Sequence, residues 1–89
     1  MEIELKMYYV YILQSLKDNT TYIGYTENLE KRIAEHNKGK TKSIKHKVPF
    51  KLVYNEPYES KTEAIKREIK LKKNSSEKEK LFKQIFSEA

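Results

Sequence analysis

Two tyrosine-rich runs, YYVYIL at Tyr8–Leu13 and TYIGYT at Thr21–Thr26, constrain this chain more than anything else in it. Aromatic and β-branched residues suit the pleated, half-buried surface of a strand. Between the runs lie Asp18 and Asn19, residues that bond their own backbone and tolerate a left-handed turn. The pattern predicts a β-hairpin. In its first strand, Met7 to Ser15, Tyr8, Val10 and Ile12 face one way, and Tyr9, Tyr11 and Leu13 the other. Neither face is polar, so both must be covered, and the strand is expected at the centre of its sheet. The runs hold five of the seven tyrosines. Either these fill a core or some carry chemistry.

The remaining elements follow from caps and periodicity. Asn28 predicts the N-cap of a helix from about Leu29 to Lys38, stopped by Gly39. FKLVYN, Phe50 to about Asn55, alternates as a third strand, which Pro57 should end because proline cannot donate to a ladder. SKTE at Ser60–Glu63 has the capping-box pattern and opens a helix from Lys61 to about Lys73. SEKE at Ser76–Glu79 repeats that signal before a last helix, about 76–87, with Leu81, Phe82, Ile85 and Phe86 on one face. The class is α+β in the order β-β-α-β-α-α. The 89 residues fit one domain, 1–89, with its core at about 7–73. The terminal residues are expected to fray.

Composition excludes several functions. With no cysteine, disulfides and thiolate chemistry are out. No apolar run reaches membrane-spanning length. The leading MEIELKM carries acids and lacks the basic-then-apolar order of a signal peptide, so a cytoplasmic location is expected. The net charge of +6 is localised: residues 36–55 hold six lysines and no acid, so the other 13 basic groups balance the 13 acids. Lys38, Lys40, Lys42, Lys45 and Lys47 lie in this stretch. It reads either as a docking surface for a polyanion or as a solvated loop.

Two helices carry polar groups where apolar ones are expected. On the Lys61–Lys73 helix, Ala64, Ile65, Ile69 and Leu71 define the inward side, and Glu68 falls within that arc. A carboxylate there needs a cation, a hydrogen-bond network or a metal, and a structural salt bridge would also satisfy it. On the first helix, His36 lies between Leu29 and Ile33, and Arg32, four residues before it, projects from the same side. Whether these groups converge is not decided by spacing.

The order of these features resembles the GIY-YIG nuclease superfamily. Val10-Tyr11-Ile12 is a variant of the first signature, and Tyr22-Ile23-Gly24 matches the second. NLEKRIAEHNKGK resembles the family helix that carries an arginine, and SKTEAIKREIKLKK the helix that carries a metal-binding glutamate. The likeness spans roughly residues 7–73 and is nearest to small stand-alone bacterial GIY-YIG proteins; Slx-type and excision-repair nuclease domains are more distant. It implies a three-stranded antiparallel sheet flanked by helices and a metal-dependent DNA endonuclease. Tyr11 and Tyr22 match the motif tyrosines, one implied to activate water and the other to hold phosphate. Arg32 matches the phosphate-binding arginine, and His36 a histidine that assists proton transfer or phosphate contact. Glu68 matches the ligand of Mg²⁺ or Mn²⁺, and Gly24 the motif glycine. Asn74 matches loosely a downstream polar residue of some relatives. Tyr25 departs from repair relatives that have a catalytic lysine at its position. Without a separate DNA-binding domain, the lysine loop and the last helix would have to supply substrate affinity, with specificity low or borrowed from a protein partner. A non-catalytic nucleic-acid-binding module and a protein-interaction domain are the alternatives on the same scaffold.

Overall fold

The computed structural model describes residues 6–87, so the expected fraying of the termini and most of MEIELKM lie outside the described residues. Strands β1 (Tyr8–Ser15), β2 (Thr21–Thr26) and β3 (Phe50–Tyr58) form one antiparallel sheet in the order β2-β1-β3. Helices α1 (Leu29–Asn37), α2 (Lys61–Lys73) and α3 (Ser75–Phe86) follow the predicted chain order. Central β1 is buried through Val10, Tyr11, Ile12 and Leu13, as its two apolar faces require. Among the described residues, no helix is long and apolar enough to cross a membrane.

Cross-strand register divides the sheet into two faces. Val10 opposes Tyr25 and Ile12 opposes Ile23; this face meets Ala64, Leu71 and Leu81 of α2 and α3 in the hydrophobic core. Tyr11 opposes Gly24 and Leu13 opposes Tyr22, so these residues share the other face. Local signals hold the connections. Asn19 takes φ 63° in the hairpin turn, and Asp18 Oδ1 accepts from Thr20 N at 3.0 Å. Fully buried Ser15 donates to the Lys47 carbonyl at 2.6 Å and ties the hairpin to the lysine loop. The Asn28 side chain caps α1 through Lys31 N at 3.1 Å, and Ser60 caps α2 through Glu63 N at 3.4 Å. Asn37 clamps the start of β3 by accepting from Phe50 N at 2.6 Å and donating to the Phe50 carbonyl at 3.2 Å.

Four expectations change. Strand β3 runs through Pro57 to Tyr58. It is an edge strand, where a proline whose nitrogen faces away from the neighbour gives up no ladder bond. Helix α3 starts at Ser75, capped by Asn74, whose Oδ1 accepts from Glu77 N at 3.1 Å, rather than at Ser76. Asn74 therefore has a capping role between α2 and α3. Ile69, expected on the inward side of α2, is 43% exposed, and Phe86, expected to share one apolar face with Leu81, is 40% exposed. The stripe of α2 that meets the sheet contains Ala64 and Leu71, with Arg67 and Glu68 half-buried between them, which leaves Ile69 to one side.

Candidate active site

The centre of the site is Tyr11. Its side chain is 1% exposed, and its hydroxyl lies 2.9 Å from Nε2 of His36, which is 0% exposed. Threonine 41, in the loop after α1, reaches the other ring nitrogen, with Oγ1 2.9 Å from Nδ1. Three aromatic rings pack around the imidazole: Tyr22, Tyr11 and Phe50 at centroid distances of 5.0, 5.9 and 6.3 Å. Tyr11 and Tyr22 stack at 6.3 Å. The Arg32 guanidinium lies close enough to the Tyr11 hydroxyl for its charge to act on it and contacts Glu35 at 3.5 Å. Glu68 is close enough for its charge to act on the Tyr11 hydroxyl.

These surroundings set the protonation states. Burial pushes Tyr11 up to about 12; Arg32 opposes this, while Tyr22 and Glu68 add to it. Burial, followed by the positive charge of Arg32, pulls His36 below its ordinary 6.5. At neutral pH the pair is therefore a phenol beside an uncharged imidazole. Arg32 is held more firmly protonated, chiefly by the neighbouring Tyr11 hydroxyl.

Gly24 has a steric reason to be glycine. A Cβ there would lie 2.5 Å from the Tyr11 hydroxyl oxygen and 2.7 Å from Cζ. The ring is fully buried and cannot swing away. Gly24→Ala is expected to destabilise the fold by about 1–3 kcal/mol, the range for overpacking, and to break the Tyr11–His36 contact. Thermal denaturation measures the first effect, and the His36 ring resonances report the second.

The structure thus brings Tyr11, Tyr22, Arg32, His36 and Gly24 together, with Glu68 beside them on α2. Glu68 is 16% exposed and carries a cation already: Lys72 Nζ, one turn on, is 3.5 Å from Oε2 and 5.8 Å from the centre of the Tyr22 ring. Among the described residues, no three His, Cys, Asp or Glu side chains are grouped to hold a metal. A single hard carboxylate that already accommodates a positive charge fits an ion such as Mg²⁺ or Mn²⁺, which keeps most of its water.

The other tyrosines are elsewhere. Tyr8 and Tyr25 pack against the core on the opposite face of the sheet from Tyr11. Lys38, Lys40, Lys42 and Lys45 are exposed. Lys47 differs: its ammonium is held at 3.0 Å by Thr20 Oγ1 and 3.7 Å by Asp18, which pins the loop to the hairpin. Thr41 and Lys72 are site residues that sequence reasoning missed. Thr41 lies in a segment without period, whereas Lys72 stands four residues after Glu68, a helical pairing that spacing could have revealed.

Residues 7–81 match the GIY-YIG catalytic domain, and the chain belongs to that family. It is similar to proteins named UPF0213. One from Staphylococcus haemolyticus is 52% identical over 66 residues, covering 73% of this chain and 79% of the relative. Another, from Syntrophus aciditrophicus, is 48% identical over 79 residues, covering 85% and 90%. The solution NMR structure of a UPF0213 protein from Bacillus halodurans superposes with a TM-score of 0.54 at 36% identity, covering 90% of this chain and 85% of that one.

Proposed function

We propose that this protein is a metal-dependent DNA endonuclease that hydrolyses phosphodiester bonds, with branched or damaged DNA met in repair or recombination as its substrate class. The observation that carries this reading is the buried Tyr11–His36 hydrogen bond, with the charge of Arg32 acting on the same hydroxyl. A phenol near 12 cannot serve as a free phenolate base at neutral pH. A relay avoids that state: as an attacking water passes a proton to the Tyr11 oxygen, the Tyr11 proton moves to His36 Nε2. The water oxygen then bonds phosphorus while the bond to the leaving oxygen breaks, and solvent protonates the leaving group. Arg32 meets the charge that develops on the phosphoryl oxygens. Tyr22, less buried than Tyr11 and next to Lys72, is assigned to phosphate contact. A divalent ion held by Glu68 would supply Lewis-acid stabilisation of the phosphoryl group.

The test is cleavage of labelled branched and linear DNAs with Mg²⁺ or Mn²⁺. The wild type is expected to cut, and Glu68→Gln and Arg32→Ala proteins are not. Cutting that survives in either variant would remove these residues from the site. No cutting of any substrate, together with tight binding, would leave a non-catalytic nucleic-acid-binding module.

Substrate affinity is assigned to the exposed lysines of the loop. Changing Lys40, Lys42 and Lys45 to glutamine is expected to lower the slope of log affinity against log salt by up to about 3, near one per lost phosphate contact. Lys47→Gln should instead lower stability, because its partners are Thr20 and Asp18. An unchanged salt slope in the triple variant would locate DNA binding elsewhere.

A further inference from the structure

We propose that Thr41 is a positioning residue that fixes the tautomer of His36, holding the ring proton on Nδ1 so that the Nε2 lone pair faces Tyr11. The imidazole is fully buried between two hydroxyls, each at 2.9 Å. A neutral ring has one donor and one acceptor, so either direction of the chain is conceivable until its far end is considered. That end is the Tyr11 hydroxyl, 1% exposed, whose proton has no acceptor among the described residues other than His36 Nε2. Were Nε2 protonated, the buried phenolic proton would have no acceptor, and the charge of nearby Arg32 also turns that proton away from itself and toward the ring. Nε2 is then unprotonated, the ring proton sits on Nδ1, and it is donated to Thr41 Oγ1.

The backbone explains how a residue five positions on reaches back to the ring. Gly39 adopts φ +76° after α1. Its N–H donates to the His36 carbonyl at 3.0 Å, and Lys40 N–H donates to the Glu35 carbonyl at 3.1 Å. These bonds fold the chain back over the end of α1 and set Thr41 against the ring. The Thr41 carbonyl accepts from Ile44 N at 3.1 Å, which anchors the segment from the other side.

This order of donors is the one the proposed relay needs: His36 accepts the Tyr11 proton only with Nε2 free. The catalytic consequence rests on the nuclease reading, but the tautomer does not. It also excludes His36 from phosphate contact, since both nitrogens are engaged and the side chain is buried.

The experiment is ¹⁵N NMR of the two histidine rings in wild type, Thr41→Val and Thr41→Ser, with exposed His46 as internal reference, beside cleavage kinetics of the same proteins. In the wild type, His36 is expected to show a protonated Nδ1 and an unprotonated Nε2. Thr41→Val should mix the tautomers and lower kcat about tenfold or more at unchanged KM, the direction seen when a triad histidine takes the wrong tautomer. Thr41→Ser should restore both readouts. Protonated Nε2 in the wild type, or His36 signals unmoved by Thr41→Val, would overturn the assignment. A tautomer shift in a protein whose wild type cuts no DNA would uphold Thr41 as the positioning group and refute the nuclease reading instead.

Discussion

The Tyr11→Phe protein is expected to bind DNA as the wild type does and to cleave it about 10²–10⁴-fold more slowly, the span associated with a lost acid–base group. The change removes one oxygen atom, the one that bonds His36 and on which the charge of Arg32 acts. Water at the phosphate then has no route to the imidazole, which is fully buried. Removing the hydroxyl also leaves Nε2 without its partner, a cost of about 1–3 kcal/mol. Cleavage must therefore be measured where urea titration shows the variant folded. Tyr8→Phe is the control. Tyr8 lies on the opposite face of the sheet against the hydrophobic core, and its substitution should leave cleavage within about twofold, since it touches no group of the relay. Equal losses in the two variants would dismiss the assignment of Tyr11.

The second large effect concerns stability. Glu56 on β3 accepts from Tyr54 at 2.5 Å, from Tyr58 at 2.7 Å and from two nitrogens of Arg67 at 2.9 and 3.1 Å. Arg67 also lies 3.7 Å from Glu77, so one guanidinium joins β3, α2 and α3. The Arg67 and Glu56 side chains are 22% and 16% exposed. Arg67→Met is expected to lower the unfolding free energy by about 2–3 kcal/mol, somewhat below the range for breaking a fully buried pair. Glu56→Gln should cost a comparable amount, and the double variant less than the sum. Additive losses in urea denaturation would show that the groups are not coupled.

The same cluster predicts an acid limb. Burial alone would raise the Glu56 carboxyl, but hydrogen bonds from Arg67, Tyr54 and Tyr58 outweigh it and hold the group below its ordinary 4.5. Its folded pKa is thus lower than its unfolded one. The stabilisation is complete above about pH 4.5 and is lost as pH falls through the folded value. Between neutral pH and pH 3, the wild type should lose more stability than Arg67→Met. Arg67 also precedes Glu68, so the bonds that clamp it to Glu56 fix the same turn of α2 from which the Glu68 charge acts on Tyr11. On the proposed reading that Glu68 holds the metal, Arg67→Met should weaken Mn²⁺ binding as well as the fold.

The Glu56 cluster shows why part of this molecule escaped sequence reasoning. Pro57 read as a stop, so the third strand ended before Glu56. A strand continued to Tyr58 places Tyr54, Glu56 and Tyr58 on one face by period two alone. Proline is forbidden only where its missing donor faces a neighbouring strand, and whether β3 is an edge is a property of the sheet, not of the run. Lys47 is similar. As a sequence it belongs with Lys38, Lys40, Lys42 and Lys45, but the loop folds back onto the hairpin and brings its ammonium to Thr20 and Asp18.

What the chain determined by itself is local. Alternation in the tyrosine runs, the caps at Asn28 and Ser60 and the turn at Asp18–Asn19 depend on neighbours within a few residues, so the element order could be read directly. Polar residues on apolar faces likewise marked Arg32, His36 and Glu68 as groups in need of partners. Only the tertiary structure decided what those partners are. Tyr11 meets His36 because cross-strand register turns Tyr11 to the face that α1 covers, and because Gly24 opposite it has no side chain. Thr41 meets the same ring because a left-handed Gly39 reverses the chain. Such contacts join residues far apart along the backbone or across an irregular turn. No short-range periodicity encodes them, since their geometry is the summed result of packing the whole sheet against its helices.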